Sequence, residues 1–589
     1  MSIVAEIKQS VTSGPGPLGV VFSAKDSFST KTIKPFEDLE YYWNFDDYDS
    51  FSEQRAIGFY EGYGPIISHV FVIPKVYLGV LSVFNKTNGE FAQKLFEIEV
   101  TDADLLTQKY ASAAGSALGD GSIGDPWDFA TLITNITTAT DTIGNLNRGD
   151  SFVITAAKTI SGTGVRLRPY GTGADPIITT VTANHSAFDF SSSTNCALIE
   201  IEIDGVYPVA TTGKGVFLGD GLLVYRCNIH DWDYGINATT PKNNWVVCDC
   251  NIENMGNYCV YCAPNSPNDA GTLCGVMSNY LHTVAANHLM RGAGHEMCIL
   301  YNNFEETFST CLKLVAPSAY PTNGFVTDYV YIAENIFSDD VNWLVSIGPQ
   351  NASSSELMQH ILVERNSFIN ITPANSVIGV QSRGHEFLTV RNNDFNNINN
   401  LVLLSDPTPG FSTYAHTYIF HNSYCRPDGN SAVVVASDTN IAIGIVTDLQ
   451  CRNNVVSVPN SVAASNRCLD CGRVNLSEIT EEYNNWYLPL STSTNHFITA
   501  DGSFTFVTWV STAGKGLNSQ MQSIDPLFVT VPSDLHLQST SPCIAKAKPT
   551  AGCDYDIKYI FRSVDKRHVS NPAFNWDMGA YQKITPVFV

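Results

Sequence analysis

The sequence is poor in charged residues, in helix-forming blocks and in long apolar runs. Only 15% of its 589 residues are charged, and 57 acidic residues against 33 basic ones give a formal net charge of −24. A chain this acidic repels a phosphate backbone, which argues against nucleic acid as a partner. No apolar run approaches the roughly 20 residues that cross a bilayer, so we expect no membrane insertion.

Motifs of several common enzyme classes are missing as well. The chain has no phosphate-binding glycine loop, no nucleophile elbow and no HExxH metal site. Its first residues, MSIVAEIKQSVTSGPGP, lack the basic and apolar segments of a signal peptide. We therefore expect an extracellular protein whose signal has been removed, or a virion protein released by host lysis.

Asn, Ser, Thr, Gly and β-branched residues are abundant, and this mixture favours an all-β chain of strands joined by polar turns. Residues 1–103 are predicted to form a β-sandwich. Its expected strands are residues 18–22, 39–44, 66–73, 77–83 and 95–100, separated by Gly, Pro, Asn and Asp turns.

Three runs within this sandwich carry a family resemblance: YYWNFDD, HVF and PKVYLGVLSV. Together they resemble a polycystic-kidney-disease-type (PKD) domain, whose members usually show a Trp-Asp-Phe-Gly-Asp segment. Trp43, Phe45 and Asp47 match that segment, whereas Asn44 and Asp46 depart from it. The resemblance implies an Ig-like module that acts as a spacer or in adhesion.

A short motif then recurs along the chain, each time after an apolar run. Its copies are RCNIH, DCNIE, SNYLH, YNNFE, ENIFS, RNSFI, NNDFN, HNSYC and RNNVV. Their second residues are Cys227, Cys250, Asn279, Asn302, Asn335, Asn366, Asn393, Asn422 and Asn453, spaced 23 to 33 residues apart. That spacing is long enough for one coil of three short strands and three turns.

One architecture explains this repeat: a right-handed parallel β-helix, predicted over residues 151–480. Its coils stack about 4.8 Å apart. Asn at one fixed turn position can then bond from coil to coil as a ladder. The apolar residue two places later points inward by strand alternation. Cys227 and Cys250 are expected on adjacent coils at the start of the ladder.

The two ends of the repeat region differ from it. Residues 104–150 are predicted to form a linker and a cap with a helix-like end, because an uncovered coil would expose its apolar interior. Residues 481–589 are predicted to be a C-terminal extension and closing segment. Its runs SIDPLFV and DMGAYQ resemble the closing segment of pectate-lyase-like β-helix proteins. That resemblance implies the fold and says little about activity.

The repeat aligns four ionisable residues in one column: His230, Glu253, His282 and Glu305. Stacked imidazoles and carboxylates suit general acid–base catalysis or a cation such as Ca²⁺. The alternative is a solvated turn whose opposite charges pair with one another. The cysteine cluster at residues 248–262 likewise admits a zinc site, although buried stacking of free thiols is the favoured interpretation.

A second group, in the run NHLMRGAGHEMCILYNNFEETFSTCLKL, contains His288, Arg291, His295, Glu305 and Lys313. The run resembles a segment of pectate-lyase-like proteins. Its chemistry suits an anionic glycan, because Arg291 or Lys313 could neutralise a uronate carboxylate while His288 or His295 acts as base. The alternative is a structural ion pair between Arg291 and a glutamate.

Two further sets complete the candidates. Carboxylates for glycoside hydrolysis follow the ladder turns at Asp231, Asp233, Glu305, Glu306, Asp339 and Asp340. Aromatic residues that could stack on sugar rings are Trp232, Tyr234, Trp245, Tyr258, Tyr261 and Trp343.

These patterns favour a protein that binds a polysaccharide or cell-surface glycan along the face of a solenoid. One hypothesis is an enzyme, a polysaccharide lyase or glycoside hydrolase. The other is a non-catalytic phage tailspike or surface adhesin. A monomer and a trimer are both compatible with the sequence.

Overall fold

A computed structural model describes residues 3–48, 60–85, 89–181, 184–206, 212–263, 271–316, 326–349, 357–372, 376–405, 413–427, 432–460, 466–551, 553, 556, 557 and 577–581. Within this part of the chain, no helix is long and apolar enough to cross a bilayer. Three sheets of 14 strands each contain 42 of the 54 described strands.

The chain winds through these three sheets in a fixed order, and each coil adds one strand to every sheet. The first sheet contains Thr107–Ala111, Thr142–Asn147, Arg166–Tyr170, Ala197–Ile199, Leu223–Tyr225, Val246–Cys248, Gly271–Met277, Gly294–Leu300, Val326–Ala333, Leu357–Glu364, His385–Arg391, Tyr414–Phe420, Val446–Arg452 and Ile479–Glu482. The second sheet contains Ser151–Ile154, Ile177–Thr180, Glu202–Asp204, Asn228–His230, Asn251–Met255, Tyr280–Val284, Asn303–Glu305, Ile336–Asp339, Ser367–Asn370, Asp394–Asn396, Ser423–Cys425, Val455–Ser457, Asn485–Tyr487 and Gln520–Gln522.

The third sheet contains Lys158–Thr159, Ser186–Asp189, Lys214–Phe217, Tyr234–Asn237, Tyr258–Cys262, His288–Gly292, Thr310–Ala316, Trp343–Pro349, Ile378–Ser382, Asn400–Leu404, Ala432–Val435, Arg467–Cys471, Phe497–Thr499 and Gly502–Phe504. Only its last pair of strands is antiparallel among the three sheets. The chain is therefore a right-handed parallel β-helix, as the repeat predicts.

A β-sandwich precedes the β-helix. Its five-stranded sheet contains Ser13–Pro15, Glu40–Asn44, Glu61–Tyr63, Lys75–Asn85 and Glu90–Thr101, and its three-stranded sheet contains Lys8–Gln9, Leu18–Ser23 and Ile66–Phe71. Shorter pairs join Ile3–Val4 to Phe28–Ser29 and Phe528–Thr530 to Asp534–Leu537. The helices are Pro35–Asp38, Phe129–Ile136 and Phe506–Ser511, with 3-10 turns at Ala103–Leu105 and Leu476–Glu478. Membership of the PKD type stays a prediction.

The helix Phe129–Ile136 covers the start of the coil. Asp128 accepts a hydrogen bond from the backbone N–H of Thr131, which satisfies one free donor of the first turn. Leu132 and Ile136 are fully buried in the core that fills the coil. This helix therefore covers the apolar interior at the first coils, and the division of residues 104–150 into a linker and a cap stays a prediction.

An asparagine ladder joins the coils between the first and second sheets. The backbone N–H of each ladder residue donates to the side-chain oxygen of the next, at 2.9 to 3.0 Å. The ladder runs through Asn279, Asn302, Asn335, Asn366, Asn393, Asn422, Asn454 and Asn484. The residue before each has a positive φ: Ser278, Tyr301, Glu334, Arg365, Asn392, His421, Asn453 and Tyr483. Cys250 donates from its backbone to Asn279 and stacks next to Cys227, as predicted.

The predicted ladder is wrong at its last position. Asn454, and not Asn453, accepts from Asn422, while Asn453 takes the left-handed conformation with φ 59°. Both positions accept Asn, since this residue tolerates that conformation better than most. The spacing of the repeat therefore did not show which of Asn453 and Asn454 occupies the ladder position. As a consequence Val456 points into the coil, whereas Val455 packs against the C-terminal segment.

The sandwich packs on the outside of the first sheet, so the two share one apolar cluster. The Ser68 hydroxyl lies 3.4 Å from the Met277 sulfur across this contact. Arg391, buried on the outer side of the first sheet beneath the sandwich, donates to Glu364 and to the backbone oxygen of Glu37 in the sandwich. This packing covers much of the first sheet, and the C-terminal segment packs on later strands of the second sheet around Val455. The described residues leave the outer face of the third sheet for a ligand.

We predict that Asn366→Ala lowers the free energy of unfolding by about 2–4 kcal/mol, because it removes several buried hydrogen bonds of the side-chain amide and leaves the backbone N–H of Asn335 and the backbone oxygen of Ile332 without this partner. Chemical denaturation of the full chain measures this. Asn135→Ala in the capping helix, at an exposed position, is the matched control. Equal stability of the two variants would contradict a stabilising role for the ladder.

Candidate functional site

The outer face of the third sheet brings three predicted residues together. Strand alternation sends Leu312 into the core and leaves Lys313 outside, and Lys313 pairs directly with Arg291 on the neighbouring strand. His288 begins the strand of Arg291, and Lys313 and Arg291 lie close enough to lower its pKa. Arg383, which sequence reasoning missed, follows the strand Ile378–Ser382 and adds a third positive charge. We call His288, Arg291, Lys313 and Arg383 the cationic cluster.

Aromatic rings border this cluster. The Arg291 guanidinium lies 5.8 Å from the ring centre of Tyr261, and that of Arg383 lies 5.7 Å from Trp343. Tyr234 and Tyr258 stack with their centres 5.4 Å apart. All four rings were predicted to be available to a sugar; Tyr234, Tyr261 and Trp343 are half-buried, whereas Tyr258 is buried. The same prediction is wrong for Trp232 and Trp245, which are buried inside the coil.

Arg291 and Lys313 of the cationic cluster have no carboxylate counterpart among the described residues. Neither Arg291 nor Lys313 forms an ion pair there, and Nε of Arg291 has no hydrogen-bond partner. Seven other arginines do pair with carboxylates: Arg148, Arg168, Arg226, Arg365, Arg391, Arg452 and Arg467. The outward neighbours along the column are Asn237, Tyr261, Ser346 and Gln381. Arg291 and Lys313 thus lack a balancing carboxylate, which is unusual in a chain whose net charge is −24.

Burial and like charge change the acidity of the cluster. Burial, with Arg291 and Arg383 nearby, lowers the pKa of Lys313 to about 8. Burial, together with Lys313 and Arg291, lowers the pKa of His288 to about 3, and its Nδ1 has no hydrogen-bond partner. At neutral pH His288 is therefore uncharged. Lys313 is a much stronger base than His288 and loses its proton far more readily than an ordinary lysine.

The predicted column on the second sheet also stacks. His230 pairs with Glu253, Glu253 with His282, and His282 with Glu305 across successive strands. Nε2 of His282 lies 3.0 Å from Glu253, and Glu305 accepts from the Tyr280 hydroxyl at 2.7 Å. Each of the four already has a partner within the protein, so the arrangement resembles a satisfied polar ladder.

His230 stands among three carboxylates at the start of this column. It contacts Asp231 at 2.8 Å and Glu202 at 3.2 Å, and Asp204 lies 3.6 Å away. Burial lowers the pKa of His230, but the bonds to Asp231 and Glu202 outweigh it and the net change is upward. Ligand atoms of Asp204, His230 and Asp231 lie within 4.8 Å of one another. A calcium ion prefers oxygen ligands alone, so Ca²⁺ binding stays a prediction.

His295 lies apart from both groups, although sequence reasoning placed it with Arg291. It belongs to the first sheet, where its Nδ1 contacts Asp328. Glu305 is on the second sheet, whereas Arg291 and Lys313 are on the third. The run of residues 287–314 crosses all three sheets, which explains why neighbours in sequence are separated in space.

The cysteine cluster does not converge on a metal. Cys248 faces the sandwich, whereas Cys250, Cys259 and Cys262 point into the coil. Burial raises the pKa of Cys262 to about 12, so this thiol stays protonated. The four therefore act as small apolar side chains, the interpretation favoured from the sequence.

Comparisons with known proteins give little beyond architecture. No family model and no curated protein matches the chain. A search of solved structures finds pectate lyase Pel9A at 12% identity and TM-score 0.30, covering 82% of this chain and 98% of that one. It also finds the surface adhesin PfbA of Streptococcus pneumoniae at 10% identity and TM-score 0.37, covering 57% of this chain and 84% of that one. A tailspike protein of E. coli bacteriophage HK620, solved with a pentasaccharide, is 13% identical with a TM-score of 0.38, covering 63% of this chain and 73% of that one. Such values support no conclusion about activity.

We predict that Lys313 titrates with a pKa of about 8, and that Arg291→Met raises this value because a neighbouring positive charge is removed. Carbon-13 methylation of the lysines followed by NMR titration measures it. Lys313→Arg removes the signal and thereby assigns it. A signal that titrates with the ordinary lysine pKa of about 10.4 would contradict the described environment.

Proposed function

We propose that the outer face of the third sheet binds an acidic polysaccharide and cleaves it by β-elimination. The observation that carries this proposal is the pair Arg291 and Lys313, positive and without a carboxylate partner among the described residues. A partly desolvated cation needs an anion. A polysaccharide carboxylate supplies that charge, and the half-buried rings of Tyr261 and Trp343 offer apolar surface to the sugars.

The chemistry follows from the charges. Arg291 and Arg383 would neutralise the uronate carboxylate, which acidifies the hydrogen on the adjacent carbon. Lys313, as the free amine, would take that proton. The electron pair would form a double bond to the next carbon, whose glycosidic oxygen leaves and takes a proton from the Tyr258 hydroxyl or from water. His288, with its pKa near 3, is a weaker base than sequence reasoning supposed.

The side chains on the outer face of the third sheet favour elimination over hydrolysis. Glycoside hydrolysis needs two carboxyl groups roughly 5 to 10 Å apart. The described outward positions beside Arg291 and Lys313 are amides, hydroxyls and a phenol. Asp339, one of the predicted carboxylates, is buried and accepts from the backbone N–H of Thr307. This leaves no described carboxylate pair in the column of Arg291 and Lys313.

An acidic polysaccharide is a ligand found outside cells. We therefore propose that the protein acts in the extracellular space or on a virion. Binding without cleavage, as in a tailspike or adhesin that only attaches, is the second hypothesis. An assay for the unsaturated product of elimination distinguishes binding alone from cleavage.

We predict that the full chain releases unsaturated uronate from an acidic polysaccharide such as polygalacturonate, alginate or a bacterial capsule. Lys313→Met should lower kcat by at least about 100-fold, because the base is lost. Arg291→Met should raise KM, since a contact with the carboxylate is lost. Ultraviolet absorbance of the unsaturated product measures both.

Lys158→Met is the charge-matched control, since Lys158 lies six strands away in the same sheet. Binding without any product would reject the lyase and leave the attachment hypothesis. Neither binding nor product with any acidic polymer would reject the proposed function as a whole.

A further inference from the structure

The sandwich has a cavity of its own on the five-stranded sheet. Trp43 and Tyr41 point into the sandwich core, so the alternate residue Tyr42 points to the other side of the sheet. Rings from four strands line the cavity there: Tyr42, Tyr63, Phe84 and Phe91. Its volume is about 630 Å³, within the range of pockets that hold small ligands.

This side of the sandwich is turned away from the β-helix. The three-stranded sheet carries the contact with the coil, through strands Leu18–Ser23 and Ile66–Phe71. Phe91 is 61% exposed, although it is a large apolar side chain. A Cβ added at Gly89, at the rim, would have no heavy atom within 4 Å. The described residues therefore leave the cavity open.

The lining is aromatic with a polar edge. The rings of Tyr42 and Tyr63 lie 5.3 Å apart, and Phe91 pairs with Phe84 on the next strand. Gln93 donates to the Ser82 hydroxyl at 3.0 Å. Burial and a hydrogen bond with Glu61 raise the pKa of Tyr42, so its hydroxyl stays protonated. Flat rings beside fixed hydroxyl, amide and carboxylate groups suit a ligand with apolar faces and hydroxyl edges.

The charge of the lining identifies the ligand class further. Glu61 is the charged side chain on the aromatic face, and no Lys or Arg lines the cavity. Glu90, also at the lining, is buried, accepts from the Ser29 hydroxyl and lies 3.7 Å from Lys31. A uronate would be repelled, which is the opposite of the cationic cluster on the third sheet. We propose that this cavity is a second glycan site, which takes a neutral sugar chain through stacking on Phe91, Tyr63 and Tyr42. The proposal stands independently of the lyase.

Affinity electrophoresis of the full chain tests this in gels that contain a galactomannan, a xyloglucan or a mixed-linkage glucan, with polygalacturonate as the acidic probe. We expect at least one neutral polymer to retard the protein. Phe91→Ala should weaken that retardation roughly tenfold, as for loss of an aromatic anchor. Phe91 is exposed, so the variant should keep the melting temperature of the parent.

Leu95→Ala is the matched control, because Leu95 is exposed on the same strand and does not line the cavity. It should bind like the parent, and so should Arg291→Met, which alters only the third sheet. Absence of retardation by every neutral polymer would overturn the proposal. So would equal retardation of Phe91→Ala and the parent, or retardation by polygalacturonate that Phe91→Ala abolishes and Arg291→Met preserves.

Discussion

A single hydrogen bond, from the backbone of one ladder residue to the side-chain oxygen of the next, fixes how each coil sits on its neighbour. Because the bond joins a fixed turn position in successive coils, a slip of one residue would break it and turn every side chain of the next strand to the wrong face. The eight asparagines from Asn279 to Asn484 therefore hold the register of the coils that they join. Columns of outward residues on the second and third sheets depend on that register.

The three sheets consequently have different environments. The first is covered by the sandwich, and the buried pair of Arg391 and Glu364 lies under that contact. The second carries imidazoles and carboxylates that satisfy one another. The third carries Arg291 and Lys313, whose charge is not balanced within the described residues. An acidic protein that holds a local positive site against its own net charge can attract an anion there and repel it elsewhere.

The sequence predicted the β-helix because the ladder leaves a visible mark in every coil. It also predicted the column from His230 to Glu305, since those residues lie three positions after ladder residues. The third sheet carries no such mark, and its distance from the ladder varies with the length of the intervening turns. Arg383 was therefore missed, and His295 was placed with Arg291 although it lies on another sheet. Trp232 and Trp245 were misplaced for the same reason, because an aromatic residue in a turn gives no sign of which way it points.

A crystal structure of the full chain with an acidic oligosaccharide tests the central claim most directly. The account predicts that the sugar lies along the outer face of the third sheet, with a carboxylate against Arg291 and Arg383, the adjacent carbon next to Lys313, and a ring on Tyr261 or Trp343. An oligosaccharide bound on the second sheet, with Arg291 and Lys313 free of it, would contradict the account.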